Sequence, residues 1–253
     1  MRIVCWNVNG LASLVKSGAF ARLFRLDADV ICLQETKLSD VTFFDRLQTG
    51  DYRAYSHLAG RKGYSGVSIL TRLPAKNVET RVYHDRFDTE GRYISATLCN
   101  GYTIADLYVP HGRRDSSEIP YKLDCLGHVI KTFSAGGGQK RIVCTDFNIA
   151  HKDIDLARAK ENRKNTMFTA PERAMVDRML EAGFTDAYRH CNVEGGQYSW
   201  FPYAFRARER NLGWRIDYCF VSNDLSQDIR GVTIRKDIEG SDHCPIVMDI
   251  DAR

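Results

Sequence analysis

Short apolar runs rich in β-branched residues recur along the chain, and six of them adjoin polar residues suited to chemistry. The side chains at these strand ends are Asn7, Gln34 and Glu35, Tyr108 and His111, Asp146 and Asn148, Asp217, and the triplet Ser241-Asp242-His243. Side chains at the ends of core strands can converge on one cleft while the core fixes their positions. Structural capping could explain one such strand end but explains six poorly, so the pattern favours a single site.

The apolar runs alternate with helical patterns. Strands are predicted at residues 2–6, 29–33, 65–70, 93–98, 102–109, 141–144, 216–221 and 246–250, and helices at 18–26, 122–133 and 171–182. Sequential strands mixed with helices indicate an α/β or α+β sandwich with partly antiparallel sheets, not a pure βαβ repeat. No linker rich in Pro, Gly or Ser interrupts residues 1–253, so one domain is expected, with a surface loop at 134–139.

Charge and cysteine usage narrow the class of protein. The net charge is only +4, from 36 basic and 32 acidic residues, but basic residues cluster around Trp214 and beside His111. Such patches attract polyanions, although from charge alone a solvated face is the simpler interpretation. The eight cysteines show no C-x-x-C spacing, and several lie in strand-like runs. We interpret them as core residues and expect neither a zinc site nor a disulfide framework.

The N-terminal sequence shows no apolar signal segment, and no run approaches membrane-spanning length. We therefore expect a cytoplasmic protein, close to the nucleoid, that does not associate with membranes. Nothing in the sequence indicates an obligate dimer, and a monomer is expected.

The polar residues at the strand ends form a set that suits metal-assisted phosphodiester hydrolysis. Carboxylates and amides without thiols select Mg²⁺, for which Mn²⁺ can substitute, over zinc. Magnesium keeps several waters and leaves room for a phosphate oxygen, whose charge it stabilises. His243 follows Asp242 directly, and an acid such as Asp217 could fix its tautomer and favour its charged form. A lone histidine is more often structural, so this pairing is a hypothesis.

A set of motifs spread from residue 3 to residue 246 carries a resemblance to a known family. The motifs are Cys5-Trp-Asn-Val-Asn-Gly-Leu11, Leu33-Gln-Glu-Thr-Lys37, Lys62-Gly-Tyr-Ser-Gly-Val67, Glu90-Gly-Arg92, Tyr108-Val-Pro110, Asp146-Phe-Asn148, Asn211-Leu-Gly-Trp-Arg-Ile-Asp-Tyr218 and Gly240-Ser-Asp-His-Cys-Pro245. Together they resemble the exonuclease III family of apurinic/apyrimidinic endonucleases, within the endonuclease/exonuclease/phosphatase superfamily. The resemblance implies a four-layer sandwich of two packed mixed β-sheets flanked by helices, with one cleft at the strand ends.

The resemblance also implies roles for the strand-end residues. Glu35 would be the principal metal ligand, with Asn9 and Asp242 nearby. Asp146 would orient or deprotonate the attacking water. The remaining catalytic residues would be Asn148 and Asn7, which hold the phosphate and the acid, Asp217, which pairs with His243, and Tyr108, whose hydroxyl contacts the phosphate. The implied reaction is hydrolysis of double-stranded DNA 5′ to an abasic site, with 3′-end trimming or nicking at other altered nucleotides such as uracil as further activities.

A second group of residues is expected to bind the damaged DNA. Trp200, Trp214 and Ile216 match the family's small apolar pocket for a flipped, baseless sugar, and exclusion of a normal nucleotide by size would give lesion selectivity. The backbone phosphates would contact Lys62, Tyr64, Arg113 and Arg206 without sequence reading. Core packing of the tryptophans and an ordinary hairpin at residues 61–64 are the structural alternatives.

Two positions depart from the family pattern. Thr145 replaces the glycine that usually precedes Asp-Phe-Asn, and His111 replaces the Asn or Gln that usually follows Tyr-x-Pro. A histidine offers one donor or, at lower pH, a positive charge, so His111 is expected to alter the preferred lesion or flanking strand.

Two competing interpretations remain from the sequence. A non-specific deoxyribonuclease or a phosphatase of the same superfamily would share Asp146, Asn148 and His243 but has no reason to keep Trp214. A catalytically silent DNA-binding homologue would be expected to lose the metal ligand or the base first, yet Glu35 and Asp146 are both present.

Overall fold

The computed structural model describes residues 1–134 and 140–252. Within these residues, β-strands form two six-stranded sheets. The strands are β1 (Arg2–Asn7), β2 (Val30–Gln34), β3 (Arg53–His57), β4 (Val67–Thr71), β5 (Ala75–Glu79), β6 (Tyr93–Leu98), β7 (Thr103–Tyr108), β8 (Arg141–Asp146), β9 (Phe184–Asp186), β10 (Asp217–Ser222), β11 (Ile229–Ile234) and β12 (Ile246–Ile250). The α-helices are α1 (Leu11–Lys16), α2 (Phe20–Phe24), α3 (Asp85–Thr89), α4 (Ile119–Ser134), α5 (Ala159–Asn162), α6 (Ala170–Glu181) and α7 (Ala187–Cys191).

Both sheets are mixed, and each has one pair of parallel strands at its centre. The first sheet has the order β11-β12-β1-β2-β4-β3, and the second has the order β5-β6-β7-β8-β10-β9. The middle pair of each sheet, β1–β2 and β7–β8, is parallel, and the other pairs are antiparallel. Because neighbouring strands in a parallel pair end at the same edge, the carboxyl ends of four central strands face one end of the sandwich.

Three apolar clusters make the layers of the fold. One lies between the sheets and takes its side chains from both of them. A second joins the outer face of the second sheet to α4 and α6, and a third joins the outer face of the first sheet to α1 and α2. The predicted four-layer sandwich of two mixed sheets flanked by helices is therefore confirmed.

The predicted elements are present with small differences at their ends, but four strands were not predicted. These are β3, β5, β9 and β11, the outermost strands of the two sheets. The helix predicted at 18–26 is shorter, because Gly18 has a φ of +75° and α2 begins only at Phe20. The loop predicted at 134–139 lies outside the described residues apart from Ser134, which ends α4.

No helix in the two described ranges combines the length and the apolar character that crossing a membrane would require.

Candidate active site

Asn7 at the end of β1 joins the two sheets at the predicted site. Its Nδ2 donates to Glu35 Oε1 at 2.9 Å and to Asp146 Oδ2 at 2.8 Å. Asn7 and Asp146 are buried, whereas Glu35 keeps access to solvent. One amide therefore fixes the distance between the predicted metal ligand, which follows the first sheet's β2, and the predicted base, which ends β8 of the second sheet.

His243 lies across the same site and is paired with Asp217. Its Nδ1 contacts Asp217 Oδ2 at 3.0 Å, and its Nε2 lies 3.9 Å from Asp146 Oδ2. Burial lowers the pKa of His243, but the charges of Asp217 and Asp146 outweigh it and raise the pKa above its ordinary value. Burial and the Asp217 charge raise the pKa of Asp146. The arrangement stabilises an imidazolium whose free edge faces Asp146.

Asp242 and Asn9 form the third part of the site. Asn9 Nδ2 donates to Asp242 Oδ1 at 3.0 Å, and the Trp200 indole donates to Asp242 Oδ2 at 3.0 Å. Burial raises the pKa of Asp242, but the His243 charge and these two hydrogen bonds hold the pKa below its usual range. Asp242 is therefore ionised at neutral pH and oriented by its neighbours.

Lys37 was not among the predicted site residues, yet it contacts two of the predicted metal ligands. Its Nζ lies 3.2 Å from Glu35 Oε2 and donates to Asn9 Oδ1. Burial raises the pKa of Glu35, but the Lys37 charge and the Asn7 amide hold the pKa below its ordinary value. The sequence feature that could have identified Lys37 as a site residue is its position two residues after Glu35, in one of the motifs that carry the family resemblance.

The oxygen atoms available in this part of the site indicate whether a divalent cation would fit there. Glu35 and Asp242 offer carboxylate oxygens and Asn9 offers an amide oxygen, which are the hard ligands that Mg²⁺ prefers. The Lys37 ammonium bridges Glu35 and Asn9, which shows that their oxygens converge on a position suited to a positive charge. These residues therefore fit a hard divalent ion. Asp146, Asp217 and His243 also offer ligand atoms within 4.8 Å of one another, but His243 Nδ1 is already paired with Asp217.

Several site residues have backbone conformations that side chains rarely adopt. Glu35 has a φ of +48°, Asn9 of +47° and Asn148 of +52°. Such left-handed conformations cost free energy for residues other than glycine and cluster at functional sites. The backbone of Asn148 is held by a hydrogen bond from its own N–H to Asp146 Oδ1 at 2.9 Å. The side-chain amide of Asn148 donates to the Val109 carbonyl at 2.9 Å.

Tyr108 lies beside this cluster and contacts Arg92, for which no role was predicted from the sequence. The Arg92 guanidinium lies 4.6 Å from the Tyr108 ring centroid and donates to the Tyr64 hydroxyl at 2.8 Å. Burial and the charge of Glu35 raise the pKa of Tyr108, so its hydroxyl stays protonated. Buried Arg92 thus connects Tyr64, predicted to contact DNA, with the catalytic residues.

A pocket of about 380 Å³ opens next to the cluster. It is lined by His111, Arg114, Asn165, Thr166, Met167, Trp200, Pro202 and Trp214. The two tryptophan rings are half-buried and meet edge to face at 6.4 Å. Trp200 also pairs with His243 through an isolated β-bridge, so the pocket and the catalytic cluster share a wall.

Ile216, predicted to line this pocket, lies beneath it. It is only 1% exposed and packs with Leu156, Met167 and Phe168 under the tryptophans. Ile216 can therefore support the pocket wall in this conformation but does not contact its contents. His111 does reach the pocket, and its Nδ1 accepts a hydrogen bond from the Arg113 N–H at 2.9 Å, which leaves Nε2 as the free donor.

The charged residues predicted to contact DNA lie on exposed segments outside the strands and α-helices. Lys62 is exposed in the hairpin between β3 and β4. The segment is therefore a hairpin, as the structural alternative proposed, and this does not prevent Lys62 from contacting DNA. The Arg113 side chain is 65% exposed and lies 3.7 Å from Glu118, and the Arg206 side chain is 79% exposed and pairs with Glu209. Arg206 lines a second, smaller cleft that reaches Asp242.

Comparison with known proteins places this geometry in a family. The model of the endonuclease/exonuclease/phosphatase family matches residues 4–243. The exodeoxyribonuclease of Bacillus subtilis is 39% identical over 258 residues, covering 99% of each chain.

Two solved structures of DNA-processing proteins have the same fold. An AP endonuclease from Archaeoglobus fulgidus superposes with a TM-score of 0.88 at 27% identity, covering 99% of each chain. A 3′ phosphatase from Neisseria, bound to a product DNA hairpin, superposes with a TM-score of 0.91 at 27% identity, again covering 99% of each chain. The resemblance drawn from the motifs is confirmed, and the chain belongs to the endonuclease/exonuclease/phosphatase family.

Proposed function

We propose that this protein is a Mg²⁺-dependent DNA-repair nuclease that hydrolyses the backbone of double-stranded DNA 5′ to abasic sites, leaving a 3′-hydroxyl. The observation that carries the proposal is the Asn7 amide, which holds Glu35 and Asp146 at hydrogen-bonding distance from one group. The carboxylate proposed to bind the metal, Glu35, and the carboxylate proposed to activate the water, Asp146, therefore face the same small cleft. A cytoplasmic location beside the nucleoid and a monomeric state are consistent with this substrate and belong to the proposal.

Glu35, with Asn9 and Asp242 beside it, would hold the ion. A bound Mg²⁺ supplies stabilisation of the negative charge that develops on the phosphate and on the leaving oxygen. Mn²⁺ has the same preference for oxygen ligands and would substitute for it. Lys37 offsets part of the negative charge of Glu35, and its flexible side chain could also contact a phosphate oxygen.

The other residues of the cluster position and activate the water. Asp146 Oδ2 accepts hydrogen bonds from the Asn7 and Asn148 side-chain amides, and Oδ1 accepts one from the Asn148 N–H, which leaves a lone pair of Oδ1 for the water. The raised pKa of Asp146 makes it a stronger base than a solvent-exposed aspartate. The His243 imidazolium, oriented by Asp217, and the protonated Tyr108 hydroxyl would donate to the non-bridging phosphate oxygens.

The pocket beside the cluster would select the lesion. Its tryptophan walls offer an apolar surface for a deoxyribose without a base, whereas a normal nucleotide would have to bring its base past Trp200 and Trp214. The proposed contacts of Lys62, Tyr64, Arg113 and Arg206 with backbone phosphates would add affinity without sequence reading, because phosphate contacts position the duplex and carry no base information. Selection would therefore depend on shape and on extrusion from the helix.

One set of substrates tests the proposal. The protein is incubated with three matched duplexes, one with an abasic analogue, one with uracil and one intact, each with Mg²⁺ and with a chelator. The proposal predicts chelator-sensitive nicking that is fastest on the abasic duplex. Equal cutting of the intact duplex would instead establish a non-specific nuclease, and binding without cutting would establish a silent homologue.

A second activity, removal of 3′-terminal groups, is favoured by the similarity to the Neisseria 3′ phosphatase. The same metal, base and phosphate contacts could act on a terminal phosphate. A nicked duplex ending in a 3′-phosphate measures it directly, and release of inorganic phosphate at a rate comparable with abasic nicking would support a combined 3′-processing role.

A further inference from the structure

Four of the eight cysteines meet between the two sheets, although they are far apart in the sequence. Cys5 and Cys32 are register partners on β1 and β2, and Cys144 and Cys219 are register partners on β8 and β10. All four are fully buried in the cluster that separates the sheets. We call these four residues the thiol layer.

The sulfur atoms of the thiol layer are close together. The Sγ atoms of Cys5, Cys144 and Cys219 all lie within 4.8 Å of one another. Cys32 faces the same layer and interacts with Cys144, but its sulfur is not within 4.8 Å of all three. The absence of C-x-x-C spacing, which argued against a thiol site in the sequence, does not exclude one, because the ligands come from four different strands.

The thiol layer lies directly beneath the catalytic residues. Side chains two positions apart on a strand face the same side of the sheet. Three cysteines are related in this way to site residues, and the pairs are Cys5 with Asn7, Cys144 with Asp146, and Cys219 with Asp217. A group bound by these sulfurs would therefore be adjacent to the layer that performs the chemistry.

The spacing of the three sulfurs is close to that around a thiolate-bound ion. With metal–sulfur bonds of ~2.3 Å, a planar three-sulfur site needs sulfurs ~4.0 Å apart and a tetrahedral site slightly less. The observed limit of 4.8 Å requires a contraction of less than an ångström, which rotation about the Cα–Cβ bonds can supply.

Buried polar groups next to the layer are suited to a bound cation. Gln34 Nε2 donates to Cys5 Sγ at 3.5 Å and to Asp106 Oδ1 at 2.5 Å. Asp106 is the register partner of Cys144, and its Oδ2 has no hydrogen-bond partner among the described residues. A fully buried carboxyl oxygen without a partner is costly, and the partial positive charge on a thiol proton polarised by the ion would compensate it.

We propose that the thiol layer binds one thiophilic d¹⁰ cation of the Zn²⁺ or Cu⁺ class, with Cys5, Cys144 and Cys219 as ligands and Cys32 as the fourth sulfur. A divalent ion displaces two thiol protons to solvent and leaves two thiolates and two thiols, so the net charge of the core stays zero. A monovalent ion displaces one proton with the same result. Because the layer is closed to solvent, the ion enters while the chain folds.

This site differs from the oxygen-ligand site at Glu35 in the class of ion that it selects. Thiolates prefer soft ions, whereas carboxylates and amides prefer Mg²⁺. The proposal does not depend on the reaction that the protein catalyses, because its evidence is the arrangement of the sulfurs and of Asp106.

Cadmium provides a spectroscopic probe that separates the two sites. The full chain carrying Cys99→Ser and Cys191→Ser, which removes the exposed thiols, is refolded with Cd²⁺, excess Mg²⁺ and a phosphine reductant. We expect about one tightly held Cd²⁺ per chain, a thiolate-to-cadmium absorption band in the near ultraviolet, and a higher melting temperature than that of the metal-free protein.

Two matched variants test the ligands. Cys144→Ala should abolish the absorption band and the bound Cd²⁺, whereas Cys125→Ala, which deletes a buried thiol on α4 outside the layer, should keep both. Equal binding by the two variants, or none by the parent, would overturn the proposal.

If Cys144→Ala does not fold, the proposal can still be tested on the parent protein by ¹¹³Cd NMR. The ¹¹³Cd resonance of the parent protein should lie in the range of sulfur coordination, and a resonance typical of oxygen ligands would overturn the proposal. Loss of two titratable thiols, counted after the refolded parent is unfolded in excess chelator and freed of reductant, would also overturn it, because the layer would then have formed a disulfide.

Discussion

The catalytic cluster and the DNA-facing rim differ in how the fold holds their side chains. We use catalytic cluster for Asn7, Glu35, Asp146, Asp217 and His243, and rim for Lys62, His111, Arg113 and Arg206. Asn7, Asp146, Asp217 and His243 are at most 4% exposed, and Asn7 or His243 connects each member of the cluster to another. The rim side chains lie outside the strands and α-helices, and the Arg113 and Arg206 side chains are 65% and 79% exposed.

The difference separates chemistry from recognition. Strand register fixes the cluster, since Asp217 and Tyr108 are the register partners of Asp146 on either side. A displaced acid would require a displaced strand, and the core resists that. The rim can change its length and charge without altering the sheets. We therefore expect large effects on the rate of hydrolysis from the cluster and small effects on substrate preference from the rim.

The largest effect is expected at the cluster. Glu35→Ala and Asp146→Asn should each lower kcat/KM on an abasic duplex by about 10³-fold or more, because metal and base supply most of the transition-state stabilisation. Asp146→Asn also removes repulsion from Asp217, so the melting temperature should not fall. Asp45→Asn, at an exposed acid in the segment Val41–Arg46, is the control. A loss below about tenfold, roughly 1.4 kcal/mol, would remove the residue from the mechanism.

A smaller effect is expected at the pocket, which lies between the cluster and the rim. Trp214→Ala should lower the ratio of abasic to intact cutting by about tenfold, because the pocket loses a wall against which the extruded sugar packs. The ratio is measured from initial rates on the two duplexes at one salt concentration. Tyr83→Ala, at an exposed aromatic outside the pocket, is the control. An unchanged ratio with a lower overall rate would show that Trp214 only holds Trp200 against Asp242 and His243.

His111→Asn tests the rim residue that the motif resemblance predicts to depart from the family pattern. An Asn oxygen can accept the bond that His111 Nδ1 now accepts from the Arg113 N–H, so the loop should keep its shape. Loss of the Nε2 donor should change the preference between lesions by about fivefold, the effect of one hydrogen bond of about 1 kcal/mol. Competition between two differently modified duplexes measures this. Equal effects on both substrates would contradict the proposed role.

The smallest effects are expected from the exposed arginines. Arg113→Ala and Arg206→Ala should each raise KM about two- to threefold, leave kcat unchanged and reduce the slope of log KM against log salt by about one phosphate contact. Arg230→Ala is a matched control, because this exposed arginine lies on β11 at the end of the sandwich away from the site. A drop in kcat at Arg206 would mean that the rim and the cluster are coupled.

The sequence predicted the central strands and missed the edges for a physical reason. Each central strand is almost fully buried, so most of its residues are apolar, as in β2 and β4. The four missed strands are sheet edges, and β5 has the burial pattern of a mostly exposed segment. An edge strand is held by hydrogen bonds to one neighbour and needs little apolar surface, so its composition resembles that of a loop.

The sequence predicted which residues form the site better than it predicted the contacts between their side chains. The strand ends and motifs identified Asn7, Glu35 and Asp146 as site residues, and the structure brings them together. Lys37 and Arg92 lie in the motifs that carry the family resemblance, but their contacts could not be predicted. A basic residue near an acid in the sequence does not reveal which side chains it reaches. The thiol layer was not predicted either, since its members meet only through strand register.

The central claim is that one divalent ion, held at Glu35, grips a backbone phosphate between Asp146 and His243. Anomalous diffraction from a crystal of the protein with Mn²⁺ and an abasic duplex tests it most directly. We predict a manganese peak about 2.1 Å from a Glu35 oxygen and from a phosphate oxygen 5′ to the lesion. A peak bound by Asp217 and His243 with Glu35 still paired to Lys37, or a phosphate distant from both acids, would contradict the account.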